Sequence, residues 1–453
     1  MAPTIGPELP SLHPVSSRGR NALTLRRTVP KVSLETREDT FAARSSSRSS
    51  TASIQFDETA GDVVRVEGLK HSDERLDARR YKSAAFAEQL SSILHTLCLP
   101  FWTGVSASAM KIEKVSGSLT NAVFFVSCPS TPSIPILLLR IYGPSSGSMI
   151  SRPRELQILH VLSSQYHIGP RVYGTFENGR IEEYFDSAPL TPADMRDPQV
   201  SSWIGARMAE LHQVDIDTVE GSPEAPWEVG AKKNVRAWLL PAKEVLSLPS
   251  VSDAIRKDLD LDRFQAEWEG YIRWLDEKEQ QVGTSRRVFA HNDTQYGNLL
   301  RLNSPKPGIP EHRQIIVVDF EYASPNPAAF DIANHFHEWT ANYHSDTPHL
   351  LDPKTYPTLE QRYNFYRAYI KHYGTSITSD DEVSGSLDDQ MTTLDRQVQL
   401  WSPASHAQWA VWGVVQARES LEAKDGEPPE FDYIGYARCR MEGFRRELRA
   451  LMS

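Results

Sequence analysis

One short loop concentrates side chains that could do chemistry. Residues 289–298 read FAHNDTQYGN, and the apolar residues that enter this stretch have the composition of a strand. The loop then holds a histidine, two asparagines, an aspartate, a glutamine and a glycine, whereas a hairpin turn needs only about two or three polar residues. Asp293 and Asn298 stand five positions apart. This excess of carboxylate and amide groups indicates that the loop does more than reverse the chain.

A second acidic group ends the next predicted strand along the chain. IIVVDFEY (315–322) is a run rich in β-branched residues that closes on Asp319-Phe320-Glu321. Protein kinases use the same order: a catalytic Asp, an Asn five residues later, and a metal-binding Asp at the next strand end. Phosphoryl transfer needs a carboxylate to orient the attacking hydroxyl and accept its proton, and hard oxygen ligands to hold magnesium on the phosphates. An Asp and an Asn at opposite ends of one loop can face the hydroxyl and the metal respectively.

Each part of this pattern has an ordinary structural explanation when it is taken alone. A lone His-x-Asp or Asp-Phe is more often a capped turn than a site. The ordered set on two neighbouring strands is much rarer, and it favours function. For His291 we expect a hydrogen bond to the backbone that fixes the loop rather than direct chemistry.

Composition disfavours several other classes of protein. The chain has 453 residues, a net charge of −10 and an apolar share of 40%, which is ordinary for a globular protein of two or three domains. The acidic balance disfavours a general nucleic-acid binder. Cys98, Cys128 and Cys439 form no C-x-x-C pair, which favours a reduced, cytoplasmic compartment. No apolar run reaches about 18 residues and no secretory h-region is visible, so neither a membrane span nor export is predicted.

The N-terminal stretch, residues 1–75, differs from the rest of the sequence. It has few aromatic residues and many Ser, Arg and Pro residues, including the low-complexity run RSSSRSSTAS (44–53). Such a segment buries too little apolar surface to offset its ordering entropy, so we predict a disordered extension. Thr28 and the serines after Arg44 and Arg48 are candidate phosphorylation sites, and a bare solvated tail is an equal alternative.

Regular patterning begins near residue 80 and predicts an α+β body in two lobes. Residues 80–185 form the smaller lobe, and residues 186–453 form a mostly helical lobe with strands near 286–291 and 314–320. The polar, acidic stretch 379–389 is predicted to be a loop with no assignable chemistry. Within the smaller lobe the patterns predict a helix, a strand–turn–strand unit, a third strand, a second helix and a hairpin, at 84–102, 112–128, 134–143, 154–166 and 172–185 respectively.

The two chemical motifs and their surroundings resemble a known family. HNDTQYGNLL (291–300), followed by VVDFEYASPNPAAFDIANHFHEW (317–339), is similar to the signature region of choline/ethanolamine kinases. That family is a branch of the protein-kinase-like and aminoglycoside-phosphotransferase-like fold. The resemblance continues through VSGSLTNAVFFV, LLLRIYG, IGPRVYGTFENGRIEEYF and WAVWGVVQA and covers roughly residues 85–450. It implies a two-lobed fold with a small β-sheet lobe and a larger helical lobe, and a homodimer.

The resemblance implies roles for the residues around the nucleotide and the metal. Asp293 would be the catalytic base, and Asn298 and Asp319 the magnesium ligands, with Glu321 as a less certain metal ligand and Gln295 on ATP. Arg140 would contact the nucleotide phosphates and Glu155 would hold Arg140 in place, although an exposed helix charge is the alternative for Glu155. The backbone at Glu183 would contact adenine. The turn over the phosphates, which lacks the family's commoner double glycine, would comprise Ser116, Gly117, Ser118, Thr120 and Asn121.

The acceptor pocket can be argued from composition as well as from the resemblance. A quaternary ammonium group donates no hydrogen bond, so proteins hold it with aromatic faces and a nearby carboxylate. Trp409 and Trp412 are three residues apart and share a helix face, but an isolated pair of this kind is more often core. The resemblance reverses that preference, and Trp339 remains core. The implied choline-site residues are Tyr322, Glu338, Tyr343, Trp409, Trp412, Tyr433 and Tyr436.

Together these features predict a choline kinase that uses ATP and Mg²⁺ to make phosphocholine, the first step of phosphatidylcholine synthesis from choline. Ethanolamine kinase is the alternative within the family, because the two activities share every catalytic motif. A catalytically inactive kinase-like scaffold, regulated through the N-terminal extension, is the alternative from another class. The intact Asp293, Asn298 and Asp319 argue against the scaffold.

Overall fold

The structure, a computed structural model, divides into a smaller lobe built on a sheet and a larger lobe built mainly from helices. None of the helices in the described part of the chain is long and apolar enough to cross a bilayer. The candidate phosphorylation sites and two residues of the predicted phosphate turn, Ser118 and Thr120, lie outside the described residues. Those residues are 66–117, 121–142, 151–221, 226–305, 307–374, 386–422 and 431–453.

The smaller lobe is a six-stranded sheet in the order β1-β5-β6-β4-β3-β2 with two helices. Its strands are β1 (His71–Ser72), β2 (Lys111–Gly117), β3 (Asn121–Ser127), β4 (Leu137–Tyr142), β5 (Val172–Phe176) and β6 (Gly179–Glu183). Its helices are α1 (Ala84–Thr96) and α2 (Arg152–Gln165). The helices and strands predicted between residues 84 and 185 are therefore confirmed, with bounds that differ by a few residues.

Alternation and capping explain these elements. In β4 the apolar residues Leu137, Leu139 and Ile141 are buried while their neighbours are half-buried, which is the pattern of a strand with one face in the core. Helix α1 begins after Ser83, whose hydroxyl accepts a hydrogen bond from the Phe86 N–H and so satisfies one of the free donors of the first turn.

Residues 66–75 belong to the smaller lobe, so the prediction that they are part of a disordered extension is wrong. Strand β1 pairs in parallel with β5, and His71 Nδ1 lies 2.8 Å from the Thr175 hydroxyl. Val66 is buried as well. A two-residue strand carries no periodic signal of its own, and only its partner strand, about a hundred residues later in the chain, defines it.

The larger lobe contains ten helices and five strands within the described residues. The helices are α3 (Pro198–His212), α4 (Ile216–Glu220), α5 (Gly230–Leu246), α6 (Asp253–Leu259), α7 (Leu261–Val282), α8 (Ala328–Glu338), α9 (Leu359–Gly374), α10 (Leu387–Gln416), α11 (Arg418–Glu422) and α12 (Tyr433–Met452). The strands are β7 (Ser187–Pro189), β8 (Arg287–Ala290), β9 (Leu299–Leu302), β10 (Ile315–Val317) and β11 (Ser324–Pro327). They form two small antiparallel sheets, β10-β9-β7 and β11-β8.

Helix α10 is the centre of the larger lobe. It packs against α5, α7, α8, α9 and α12, and its second half is buried on nearly every side. It begins with a capping box in which Ser386 and Asp389 each bond the other's backbone N–H. The end of the acidic stretch predicted to be a loop is therefore a helix start, while residues 375–385 lie outside the described part of the chain.

Candidate active site

Two small sheets position the loop that contains Asp293. Strand β8 enters the loop and pairs with β11, while β9 leaves it and pairs with β10. The Val318 N–H donates to the Asn298 carbonyl at 3.0 Å, which places the ends of the loop and of β10 side by side. Asn292 and Asp319 both adopt a left-handed backbone conformation, with φ of 65° and 70°. Asparagine and aspartate tolerate this region better than most residues do.

Asp293 and Asn298 contact each other directly. The Asn298 amide nitrogen donates to the Asp293 backbone carbonyl at 2.9 Å and to its Oδ2 at 3.0 Å. Because both partners are acceptors, the nitrogen must face Asp293 and the amide oxygen is left for another ligand. That oxygen and the half-buried carboxylate of Asp319 are the hard donors that Mg²⁺ prefers. The donor set fits magnesium, and the half-buried Glu321 follows two residues after Asp319.

His291 fixes the loop, as the sequence predicted. Its Nε2 lies 3.1 Å from the Val318 carbonyl and must donate to it, so Nδ1 accepts from the Asp293 N–H at 3.2 Å. Burial lowers the pKa of His291 below its ordinary value, and the carboxylate of Asp331 opposes this shift only in part. The ring is therefore neutral near pH 7 and has both nitrogens in use.

Asp331 on α8 supports the loop and was missed by the sequence reasoning. Its carboxylate accepts from the His291 and Asn292 backbone N–H groups at 3.0 and 2.8 Å, and from His212 Nε2 at 3.0 Å. Burial alone would raise the pKa of Asp331, but the hydrogen bond and charge of His212 outweigh it and lower the pKa. The signal was present in FDIAN, where an Asp and an Asn three residues apart share one face of an otherwise apolar helix.

Two polar atoms beside Asp293 are buried without a partner among the described residues. They are the Thr294 hydroxyl and the Gln295 amide oxygen. Buried polar atoms are normally paired, so both atoms are available to a polar ligand or a water molecule beside Asp293. Gln295 is one of the residues that the sequence assigned to ATP.

The charged residues of the smaller lobe pair differently from the prediction. Glu155 Oε1 accepts from Arg180 Nη2 at 3.1 Å, and Arg140 Nε lies 3.6 Å from Glu182 Oε1. The prediction that Glu155 holds Arg140 is therefore wrong. Its physical reason is the strand register, which places Arg140 directly opposite Arg180, so that two guanidinium groups share two carboxylates. Arg180 and Glu182, two residues apart on β6, also form an ion pair.

The other residues predicted to contact the nucleotide lie only partly within the described part of the chain. Ser116 and Gly117 end β2 and Asn121 begins β3, so the predicted turn does join two paired strands. Glu183 ends β6, and its backbone N–H donates to the Arg171 carbonyl at 2.8 Å. An adenine contact at Glu183 would therefore have to use its carbonyl.

The aromatic residues predicted for the acceptor form one cluster. Trp409 lies 5.2 Å, centroid to centroid, from both Trp412 and Tyr322, in edge-to-face contacts. Trp412 is 5.8 Å from Tyr433 and 6.0 Å from Tyr436. The Trp412 indole N–H donates to the Tyr322 hydroxyl at 2.8 Å. Residues from the loop after β10, from α10 and from α12 thus meet as predicted, and Phe431 and Trp238 join them at the edges.

The predicted carboxylate, Glu338, is buried and already paired. Its Oε1 accepts from Arg440 Nη2 at 2.8 Å, and its Oε2 accepts from the Tyr343 hydroxyl at 2.7 Å. Arg440 also donates through Nε to the Tyr436 hydroxyl at 3.0 Å. The negative charge of Glu338 is therefore balanced by Arg440, a residue that the sequence reasoning missed because it lies a hundred positions away on α12.

Asn334 connects the aromatic cluster to the catalytic loop. Its Oδ1 accepts from the Trp409 indole N–H at 2.7 Å and from the Ser405 hydroxyl at 2.8 Å, and its Nδ2 donates to the Asn292 carbonyl at 3.0 Å. All four residues are buried. The cluster and the loop that contains Asp293 thus form one polar network, in which the position of one limits the position of the other.

Sequence comparison finds relatives named as choline kinases and as choline/ethanolamine kinases. The chain is similar to the choline kinase of Schizosaccharomyces pombe, with 34% identity over 417 residues that cover 81% of this chain and 90% of the relative. It is also similar to human choline/ethanolamine kinase, with 30% identity over 359 residues that cover 78% of this chain and 84% of the relative.

Solved structures agree on the fold. A choline kinase from Cryptosporidium parvum matches with a TM-score of 0.64 and 23% identity, covering 80% of this chain and 95% of that chain. An ethanolamine kinase from Plasmodium vivax matches with a TM-score of 0.60 and 21% identity, covering 83% of this chain and 92% of that chain. At these identities the likeness shows the two-lobed, kinase-like α+β fold. The sequence model for choline/ethanolamine kinases matches residues 112–445, and the chain belongs to the choline/ethanolamine kinase family.

Proposed function

We propose that this protein is a choline kinase, which transfers the γ-phosphoryl group of ATP to the hydroxyl of choline and releases ADP and phosphocholine. The observation that carries the proposal is the buried aromatic cluster joined through Asn334 to the loop that contains Asp293. A cluster of this composition suits a methylated ammonium group. The names of the relatives support the same substrate class.

The residues of the loop have different roles in phosphoryl transfer. Asp293 orients the acceptor hydroxyl and takes its proton as the oxygen attacks phosphorus. Asn298 restrains that carboxylate through its amide nitrogen. Its amide oxygen, together with the Asp319 carboxylate, would hold the metal. Magnesium, when bound, neutralises charge that develops on the phosphates. Arg140 and Gln295 provide a cation and a polar group on the nucleotide side.

Ethanolamine is the second candidate acceptor, because relatives carry both names. The structure favours choline through the number of aromatic rings in the cluster. Three rings, those of Trp409, Tyr433 and Tyr436, lie within 6.0 Å of the Trp412 ring, and the Tyr322 hydroxyl accepts its N–H. The carboxylate of Glu338, in contrast, is already balanced by Arg440. A primary ammonium needs hydrogen-bond acceptors, and a quaternary one needs apolar and π surface. We therefore propose choline as the preferred acceptor.

The decisive experiment compares ADP formation in the wild type and in Asp293→Asn, with and without choline. The substitution keeps the shape of the side chain and leaves an oxygen that can accept from Asn298. The rate of choline-dependent ADP formation should fall about 10²–10⁴-fold, while nucleotide binding stays near the wild-type value. The matched control is Asp276→Asn on the exposed face of α7, which should keep full activity. Wild-type turnover in Asp293→Asn would contradict the assignment, and no choline-dependent ADP in the wild type would favour the scaffold.

Three further properties follow from the sequence and the family resemblance as parts of this proposal. The protein acts in the cytoplasm, where its cysteines stay reduced; all three are unpaired in the structure. It works as a homodimer. The arginine-flanked residues of the N-terminal extension, Thr28 among them, accept phosphate from other kinases.

A further inference from the structure

A cluster of possible metal ligands lies on the helices that also carry Glu338 and the aromatic residues of the proposed acceptor site. His337 on α8, His406 on α10 and Glu447 on α12 bring one ligand atom each to within 4.8 Å of one another. Both histidines are buried, and Glu447 is half-buried and reaches the surface. None of the three belongs to the machinery for phosphoryl transfer described above.

The distances suit a small transition-metal ion. His406 Nε2 lies 3.2 Å from Glu447 Oε1, and His337 Nε2 lies 3.8 Å from Glu447 Oε2. Zinc bonds imidazole nitrogen and carboxylate oxygen at about 2.0–2.2 Å in a tetrahedron, which separates neighbouring ligand atoms by roughly 3.3–3.5 Å. His337 Nε2 also lies 2.9 Å from the Ser402 hydroxyl and 3.3 Å from the Ser402 carbonyl, so an ion bound at Nε2 would replace its hydrogen bond to that carbonyl.

The hydrogen bonding of the cluster is incomplete without an ion. Neither ring nitrogen of His406 has a hydrogen-bond partner among the described residues, and the same holds for Glu447 Oε2. His406 is only 3% exposed, so bulk water does not form hydrogen bonds with both of its ring nitrogens. An unpaired buried polar atom is destabilising, and an ion bound by these atoms would pair them.

Burial keeps the imidazoles neutral, and a glycine leaves room for one of them. Burial lowers the pKa of both His337 and His406 well below the ordinary value, so the rings are neutral, as metal ligation requires. Gly443 on α12 leaves room for the His406 ring, because a Cβ at that position would lie 2.5 Å from its Cε1. The nearby guanidinium of Arg440 is balanced by Glu338, which leaves the charge of Glu447 for a cation.

We propose that His337, His406 and Glu447 form a zinc-binding site that ties helices α8, α10 and α12 together. Two imidazoles and one carboxylate are a donor set that suits zinc better than magnesium or calcium, which prefer oxygen ligands. The same three helices carry the acceptor pocket. His337 adjoins Glu338, and His406 lies one turn before Trp409 on α10. The ion therefore stabilises the arrangement of helices on which the pocket depends and takes no part in the chemistry.

The test measures zinc binding to the full-length protein after chelator treatment and removal of the chelator. Zn²⁺ is titrated against a competing fluorescent indicator, and Co²⁺ is titrated separately, because visible absorption reports tetrahedral coordination of cobalt. The variants are Glu447→Gln and His406→Gln, and the matched control is Glu442→Gln, an exposed residue of the same helix. Asp319→Asn separates this site from the candidate magnesium site. Circular dichroism verifies that each variant is folded.

The wild type, Glu442→Gln and Asp319→Asn should each bind one zinc ion that raises the thermal midpoint. Glu447→Gln and His406→Gln should lose at least about 10–100-fold in zinc affinity, the loss typical of disturbing even an outer-shell partner of a metal site. If His406→Gln fails to fold, Glu447→Gln decides the question alone, since its side chain is half-buried. Equal zinc affinity in Glu447→Gln and the wild type, or no zinc binding by the wild type, would overturn the proposal.

Discussion

Replacing Trp412 by phenylalanine tests whether the aromatic cluster binds the acceptor. Truncation to alanine would leave a large cavity and cost about 3–5 kcal/mol of stability, which would confuse a binding defect with a folding defect. Phenylalanine keeps an aromatic ring in the cluster. It removes the larger indole face and the hydrogen bond that the Trp412 N–H donates to the Tyr322 hydroxyl at 2.8 Å.

The expected size of the effect follows from these two losses. A ring that contacts a cation contributes about 0.5–2 kcal/mol, and phenylalanine retains part of that. The lost hydrogen bond contributes about 1 kcal/mol and also orients Tyr322. A combined loss of about 1–2 kcal/mol corresponds to a roughly 5- to 30-fold rise in KM for choline, at 1.4 kcal/mol for each factor of ten. Ethanolamine has no methyl groups on its nitrogen, so its KM should rise less.

Trp401→Phe provides a matched control on the same helix. Trp401 is as buried as Trp412 and also donates an indole hydrogen bond, to Glu279 Oε1 at 2.8 Å, but its ring packs against Phe330 away from the cluster. Steady-state kinetics should show a raised choline KM in Trp412→Phe alone, with an unchanged KM for ATP in both variants. A similar rise for choline in both variants, or for ATP as well as choline, would refute the reasoning. Glu338→Gln is a poorer test because it would leave Arg440 buried without its counter-charge.

Two further predictions concern the N-terminal boundary and the response to pH. Deleting residues 1–65 should leave the thermal midpoint unchanged. Deleting residues 1–75 also removes β1 and its contact with Thr175, and should lower the thermal midpoint. Equal midpoints for the two deletions would show that β1 adds no stability. Burial lowers the pKa of His291 and His335 below 6.5, so the unfolded chain binds more protons on acidification. The free energy of unfolding should therefore keep its full value above pH 6.5 and decrease below pH 6.5. A urea midpoint that is no lower at pH 5.5 than at pH 7.5 would contradict this.

Much of the site could be predicted because its residues lie close together in the sequence. Asp293 and Asn298 belong to one loop, and Trp409 and Trp412 share one helix face, so spacing alone places each pair together. The contact of Asn298 with Asp293 and the packing of the two indole rings confirm those local predictions. Their roles in catalysis and in acceptor binding stay predictions until the variants are measured.

The parts that were missed or wrong depend on partners that are distant in the sequence. Arg440 balances Glu338 from another helix, and Asp331 supports a loop forty residues before it. The spacing in FDIAN marks Asp331 and Asn334 as polar residues on one helix face, but the sequence does not reveal the partner of Asp331 or of Glu338. The pairing of Glu155 with Arg180 follows from strand register, which places two arginines opposite each other. Register depends on hairpin geometry and on the burial of one face, so a motif comparison does not reveal which carboxylate meets which guanidinium.

Helix α8 links these observations, because one side of it contacts the loop that contains Asp293 and its last residue, Glu338, bonds the helix that carries Tyr436. Asp331 and Asn334 bond the backbone of the loop, and Glu338, one turn after Asn334, bonds Arg440 on α12. A shift of α12 relative to α8 would thus move the acceptor's aromatic rings and strain the network behind Asp293. Buried, fully paired networks resist such shifts because each broken hydrogen bond leaves an unpaired polar group. Under the proposed function, the packing of α8, α10 and α12 therefore sets the position of the acceptor hydroxyl at Asp293. The proposed zinc site lies where those three helices meet.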